Sequence, residues 1–218
     1  LDRIKNCPLN KLNSILQGAQ AAKHNSLKAY EDFVNETVCD TKNAAHQTDF
    51  FQMIHAALDS NPMGIVCDFN GSSRTLCIDK DYLNAHHMNF YAMNGTPGEI
   101  VHEIIPESEN LIYVAEEMER LQNAGRKDAL LGYMPDCDGD RGNIVYWDEK
   151  AQKACILKAQ EVFSLSVLAE ITYSLWQNEG KADFKPAVAV NCPTSMRIEE
   201  IADKAVQIIP ERVKYYAP

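Results

Sequence analysis

Three carboxylates stand at alternate positions in one short stretch, Asp136-Cys137-Asp138-Gly139-Asp140-Arg141. In an extended segment every second side chain points to the same side, so the spacing predicts that Asp136, Asp138 and Asp140 converge on one point. Like charges brought together need a cation between them. Two unit charges about 4 Å apart repel by about 4 kcal/mol at an effective dielectric of roughly 20, and three carboxylates make three such pairs. A hard divalent cation that prefers oxygen ligands removes that cost, which points to Mg²⁺ or Mn²⁺. An EF-hand calcium loop also opens with alternating acids, but counted from Asp136 its turn glycine falls on Arg141 and its closing glutamate on Trp147. The competing reading is a solvated acidic hairpin tip that binds nothing.

The elements that must position this loop are legible on both sides of it. The apolar run from Ala129 and the run Asn143 to Glu149 read as strands, and Gly139 and Gly142 let the backbone bend between them. Upstream, Met63 to Asp68 is a strand, Asn70-Gly71-Ser72-Ser73 a turn, residues 74–87 a helix and Met88 to Met93 a second strand. That order implies a parallel pair with a right-handed crossover. A long loop over residues 94–109 leads to a helix from Asn110 to Asn123, with Leu111, Val114, Met118 and Leu121 on one face. The next strand delivers the acidic loop at its C-terminal end, where open α/β sheets place their sites. Residues 151–157 form one more strand, and a helix from Ala159 to about Trp176 follows.

The chain of 218 residues is 45% apolar and 24% charged, a globular composition able to bury a substantial core. Its net charge of -10 argues against nucleic acid and anionic membrane as partners, since both select basic patches. No apolar run approaches the length of a membrane span. Seven cysteines, an odd number without Cys-X-X-Cys spacing, point to free thiols and a reducing cytoplasm.

The flanks carry less chemistry. Residues 9–35 have apolar positions at helical spacing, among them Leu9, Leu12, Leu16, Tyr30 and Phe33, and a second helix covers residues 44–58 with Phe50, Phe51, Met53, Ile54, Ala57 and Leu58 on its buried stripe. His24, His46 and His55 show no ligand spacing and read as surface or packing histidines. The pair His86-His87 has no companion ligand near it in sequence. The Gly71 turn could bind phosphate at a helix N-terminus, although ordinary turn chemistry accounts for it. Residues 177–183 form a polar linker. Pro186 to Asn191 is a strand and Met196 to Ile208 a helix, a pair that needs partners to bury its apolar faces.

The acidic loop resembles the metal-binding loop of the α-D-phosphohexomutases, the phosphoglucomutase and phosphomannomutase enzymes, which reads Asp-X-Asp-Gly/Ala-Asp-Arg. The order of elements over residues 61–177 is similar to the second domain of that family. The resemblance implies that Asp136, Asp138 and Asp140 hold Mg²⁺ and that Arg141 faces a phosphoserine completing the site. Cys137 stands where the family has Gly or Pro. The family's Thr-Ala-Ser-His-Asn-Pro serine motif is not matched, because Ser26 follows His24-Asn25 instead of preceding such a pair. Its Gly-Glu-X-Ser-Gly-His sugar loop is not found either.

The expected architecture is α/β: a three-layer α/β/α domain with a mixed, mostly parallel sheet at 61–177, preceded by helices at 1–60 and followed by the start of a further α/β domain at 178–218. The expected function is the metal-binding part of a phosphohexomutase, which moves a phosphoryl group between the 1- and 6-positions of a hexose phosphate. The nucleophile and the sugar loop would come from remaining domains of the same parent chain. The alternative is a non-catalytic metal- or partner-binding module that retains the loop. A phosphatase with an aspartyl nucleophile fits less well, since it gives the third Asp and the Arg no place.

Overall fold

The computed structural model describes residues 5–103, 105, 108–139, 141–177, 187–208 and 214–216. Asp140, the linker after Gln177 and the first residue of the predicted strand at Pro186 lie outside them.

Apolar runs rich in Val, Ile, Tyr and Leu form five strands: β1 (Gly64–Asp68), β2 (Asn89–Met93), β3 (Ala129–Pro135), β4 (Gly142–Asp148) and β5 (Lys153–Ile156). Their order across the sheet is β2-β1-β3-β4-β5. β1 pairs in parallel with β2 and β3, while β4 is antiparallel to both β3 and β5. Four of the five strands therefore run one way, the mixed and mostly parallel sheet that the sequence predicts.

The connection from β2 to β3 passes through helix α4 (Ser108–Asn123), and this helix supplies the core. Leu111, Val114 and Met118 are fully buried, at the spacing of one helical face, against Val66, Met134 and Val145 of three strands. Burying each such side chain stabilises the fold by about 1.5–3 kcal/mol relative to exposure. Close approach of α4 depends on Gly132 of β3, where a Cβ would collide with Val114 and come within 3.2 Å of Met118 Cε. Alternation along β3 sends Tyr133 to the opposite face, where its hydroxyl donates to Asp79 Oδ1 at 3.0 Å.

The helix predicted over 74–87 is two pieces, a 3-10 turn (Ser73–Leu76) and α3 (Asp79–Ala85). Cys77 between them is extended, with φ -94° and ψ -167°. The break turns Asp79 back toward Arg74, and the two form an ion pair.

Helices α1 (Leu9–Cys39) and α2 (Ala44–Ser60) precede the sheet. The Asn43 side chain caps α2 by accepting from the amides of Ala45 and His46. Both helices form where apolar spacing predicts them, but the stripe of α2 expected to be buried is less covered than that. Leu9 and Leu16 are 75% and 62% exposed, and no described residue of α2 is fully buried. What α2 packs is aromatic: Phe50 lies edge-on to Tyr173, and Phe51 stacks on His86 with centroids 3.9 Å apart.

After the sheet, α5 (Ala159–Gln177) gives the C-terminal elements a surface to pack on. Val167 and Ile171 of α5 meet Ile198, Ala202 and Ala205 of α6 (Arg197–Ile208). β6 (Ala187–Ala189) pairs in parallel with β7 (Lys214–Tyr216) in a separate two-stranded sheet. The strand and helix predicted here thus have partners in α5 and β7. Among the described residues no helix is long and apolar enough to cross a membrane.

Candidate functional site

The acidic loop closes the β3–β4 hairpin at the C-terminal end of β3, with Pro135 opposite Gly142 in register. Asp136 is the first residue beyond the strand and is 3% exposed. Its backbone N–H donates to Arg141 O at 3.0 Å, and its carboxylate folds back over the loop it opens. Oδ1 accepts from the amides of Gly139 and Arg141 at 3.1 and 3.2 Å, and Oδ2 accepts from Arg141 Nε at 2.8 Å. Arg141 itself is 66% exposed, so one member of this pair is buried and the other reaches it from solvent.

Strand alternation does not continue through the loop. Gly139 is left-handed at φ +78°, which tightens the turn. Asp136 therefore points inward while Asp138 is exposed, and Asp140 lies outside the described residues. Among the described residues no three His, Cys, Asp or Glu side chains are grouped to hold a metal ion. The donors are of the right kind for Mg²⁺, since carboxylate oxygens suit hard cations. In this arrangement, however, Asp136 is engaged by Arg141 and by its own loop. Arg141 reaches Asp136 through its Nε at 2.8 Å.

Sequence reasoning missed a second buried carboxylate one strand away. Asp68, the last residue of β1, is fully buried. Its Oδ2 meets His102 Nε2 at 2.9 Å, and its Oδ1 accepts from Asn94 Nδ2 at 2.9 Å and from the Asn70 amide at 3.0 Å. His102 Nδ1 faces Glu103 O at 2.9 Å, and its ring stacks on Tyr113 of α4 at 4.3 Å between centroids. Asn70 completes the group. Its Oδ1 accepts from the amides of Val101 and His102, and its Nδ2 donates to His102 O. These bonds fasten the long loop after β2 across the ends of β1 and β2. Asp-X-Asn-Gly at a strand end is the one available signal for this group; nothing near His102 in sequence announces it.

The Gly71 turn belongs to the same network. Gly71 is left-handed at φ +67°, its N–H donates to Asn94 O at 3.0 Å, and a Cβ would strike the backbone of Glu99. The turn is used for packing, and its amide is committed to Asn94. The turn also touches the acidic loop, because Ser73 N donates to Cys137 O at 3.0 Å.

On the face of the sheet away from α4, Arg74 donates to Asp79 Oδ1 and to the Tyr30 hydroxyl of α1. Burial opposes the Arg74 charge, but the hydrogen bonds to Asp79 and Tyr30 outweigh it and raise its pKa. Burial also pushes the Cys67 thiol and the Tyr133 phenol well above their ordinary values, so both stay protonated. The histidines that sequence spacing left scattered meet further off. His55 Nε2 lies 3.1 Å from His86 Nδ1, and His87 Nδ1 lies 2.8 Å from Asp59. The His86-His87 pair therefore has neighbours in α2 that sequence proximity could not show.

The α/β fold defined by this sheet and its crossovers has a likeness among solved structures. The chain superposes on a phosphoglucomutase/phosphomannomutase family protein from Burkholderia thailandensis with a TM-score of 0.52 at 13% identity, covering 78% of this chain and 32% of that one. N-acetylglucosamine-phosphate mutase, of the α-D-phosphohexomutase superfamily, gives TM-scores of 0.41 in its apo form and 0.45 in its substrate complex. Those two alignments, at 15% and 18% identity, cover 77% and 76% of this chain and 35% and 30% of theirs. At such identities the likeness is one of fold, and it rests on the first of these structures. The chain spans about a third of the length of each. The sequence matches no family model and no curated protein.

Proposed function

We propose that this chain is the cation-binding part of a cytoplasmic phosphohexomutase, with Asp136, Asp138 and Asp140 as the protein ligands of Mg²⁺ and Arg141 facing a phosphoserine. The observation that carries the reading is the acidic loop itself, at the C-terminal end of a central strand in a fold shared with a phosphoglucomutase/phosphomannomutase family protein. A bound Mg²⁺ would neutralise charge on a transferring phosphoryl group, the main contribution a protein makes to that chemistry. The substrate would be a hexose phosphate. The phosphoserine and the sugar-recognition loop would belong to other domains of the parent chain, so residues 61–177 would hold the cation and turn over nothing alone.

What this chain's own residues do in that scheme is local. Asp136 orders the loop by accepting from two of its amides, and Arg141 supplies a guanidinium at the loop's exposed side, suited to charge-assisted bonds with a phosphate. Asp136 would hold the cation in that scheme, and Arg141, which pairs with Asp136 from the loop's exposed side, would then be available to a phosphate.

The test is a Mn²⁺ titration followed through Trp147, which packs against the core on β4, in a chain whose other tryptophan is replaced as Trp176→Phe. Saturable quenching that Mg²⁺ competes away, absent in Asp138→Asn, is the expected result. If Asp138→Asn quenches as strongly as the parent, the loop is not the site. If nothing binds with or without a phosphoserine peptide, the non-catalytic reading takes its place.

A further inference from the structure

Arg74 reaches the acidic loop from another strand's turn. A Cβ on Gly139 would lie 2.8 Å from Arg74 Cγ and collide with Arg74 Cδ. The loop therefore turns about a left-handed glycine whose missing side chain is replaced by the stem of an arginine. The stem cannot easily leave, because the guanidinium is moored at its far end. It is paired with Asp79, bonded to the Tyr30 hydroxyl at 3.0 Å, and placed over the Tyr30 ring at 5.7 Å from the centroid. Asp79 is held in turn by the hydroxyl of Tyr133, on the strand that leads into the loop. The residue before Arg74 grips the same loop by its main chain, Ser73 N to Cys137 O.

We infer that Arg74 is the positioning residue of the acidic loop, setting its turn at Gly139 and hence the placement of Asp136 and Asp138, and that Tyr30 couples helix α1 to the loop through it. Arg74 could brace α3 through Asp79 without touching Gly139; the contact with Gly139 is what gives it this second task. A lysine would keep the stem and a cation within reach of Asp79, whereas alanine would remove both. Only the affinity consequence rests on the cation reading proposed above.

The experiment uses the whole chain with Arg74→Ala, Arg74→Met, Arg74→Lys and Tyr30→Phe. Amide hydrogen exchange at Gly139 and Arg141, whose N–H groups bond Asp136 Oδ1, reports the loop with or without a cation. Arg74→Ala should speed exchange at these two amides about tenfold while Val66 and Val145 in the core keep parental rates. Arg74→Lys should restore most of the protection, and Arg74→Met and Tyr30→Phe should fall between. Mn²⁺ affinity should drop about tenfold in Arg74→Ala, the usual scale for a residue that orients metal ligands. Parental exchange at Gly139 and Arg141 in Arg74→Ala overturns the inference. So does acceleration at core and loop amides alike in both the Ala and Met variants. Failure of the cation reading shows separately, as an absence of saturable Mn²⁺ binding in the parent, and leaves the exchange rates to decide.

Discussion

Two buried carboxylates sit at the C-terminal ends of neighbouring strands, Asp68 as the last residue of β1 and Asp136 just after β3, and they are satisfied in opposite ways. Asp68 takes its side-chain partners from afar, Asn94 and His102, 26 and 34 residues along the chain. Every one of those partners is held by further bonds or by the Tyr113 ring. Asp136 takes its named partners from within five residues, and one of them, Arg141, is mostly exposed. The first carboxylate locks a long loop to the sheet, so its loss propagates. The second closes a small loop on itself, so its partners can be exchanged without disturbing the core.

The largest effect that separates the two is on stability. Asp68→Ala leaves the buried His102 ring and the half-buried Asn94 amide without their acceptor, and it should cost about 3–5 kcal/mol in denaturant unfolding. Asp136→Ala strands two loop amides beside solvent and should cost about 1–2 kcal/mol, with Mn²⁺ binding lost. If Asp136→Ala proves the more destabilising, the assignment of one lock and one local closure is reversed.

A smaller effect sharpens the contrast. Arg141→Gln should change stability by under about 1 kcal/mol, because the pair it breaks has one exposed partner. It should tighten Mn²⁺ binding by a factor on the order of five, since the cation no longer competes with a guanidinium for Asp136. Unchanged or weaker binding would mean that Arg141 does not stand in the cation's way.

Acid should act last, and away from both carboxylates. Burial, then the neighbouring His55, lowers the pKa of His86 from its ordinary 6.5, with Glu31 opposing and His87 adding to the shift. The unfolded chain therefore takes up this proton first as pH falls. The contact of α2 with His86 is fully favourable above pH 6.5 and is lost as pH drops through the lower folded value. Melting curves from about pH 7 to about pH 5 should show that loss, and His86→Phe, which keeps the stack on Phe51, should flatten it. An equally steep pH dependence in His86→Phe would assign the effect to other groups.

Much of the frame was legible because it depends on local chemistry. Period-3.6 spacing marked the buried face of α4, Leu111, Val114, Met118 and Leu121, and all four are buried. Apolar runs bounded by Gly, Pro and Asn marked β1 to β5. The helix over 74–87 was misjudged because propensity carries no record of Asp79 turning back to Arg74. The apolar spacing of α2 predicted a helix correctly and its buried stripe wrongly, since periodicity describes a face without saying what covers it. The acidic loop was visible as Asp-X-Asp-Gly-Asp-Arg, but its left-handed turn at Gly139, with Asp136 buried and Asp138 exposed, was not.

By itself, then, the sequence determined the α/β class, the strand that carries the acidic loop and the identity of that loop's charges, because each follows from residue types within a few positions of one another. Only the tertiary structure decided that Asp68 meets His102, that His55 meets His86, and that Arg74 and Tyr30 stand behind Gly139. Those pairs are 31 to 109 residues apart by the numbering, and only the packing of the sheet, its turns and the two preceding helices brings them together. A side chain's partner across such a distance is set by how whole elements pack, and no local pattern encodes that.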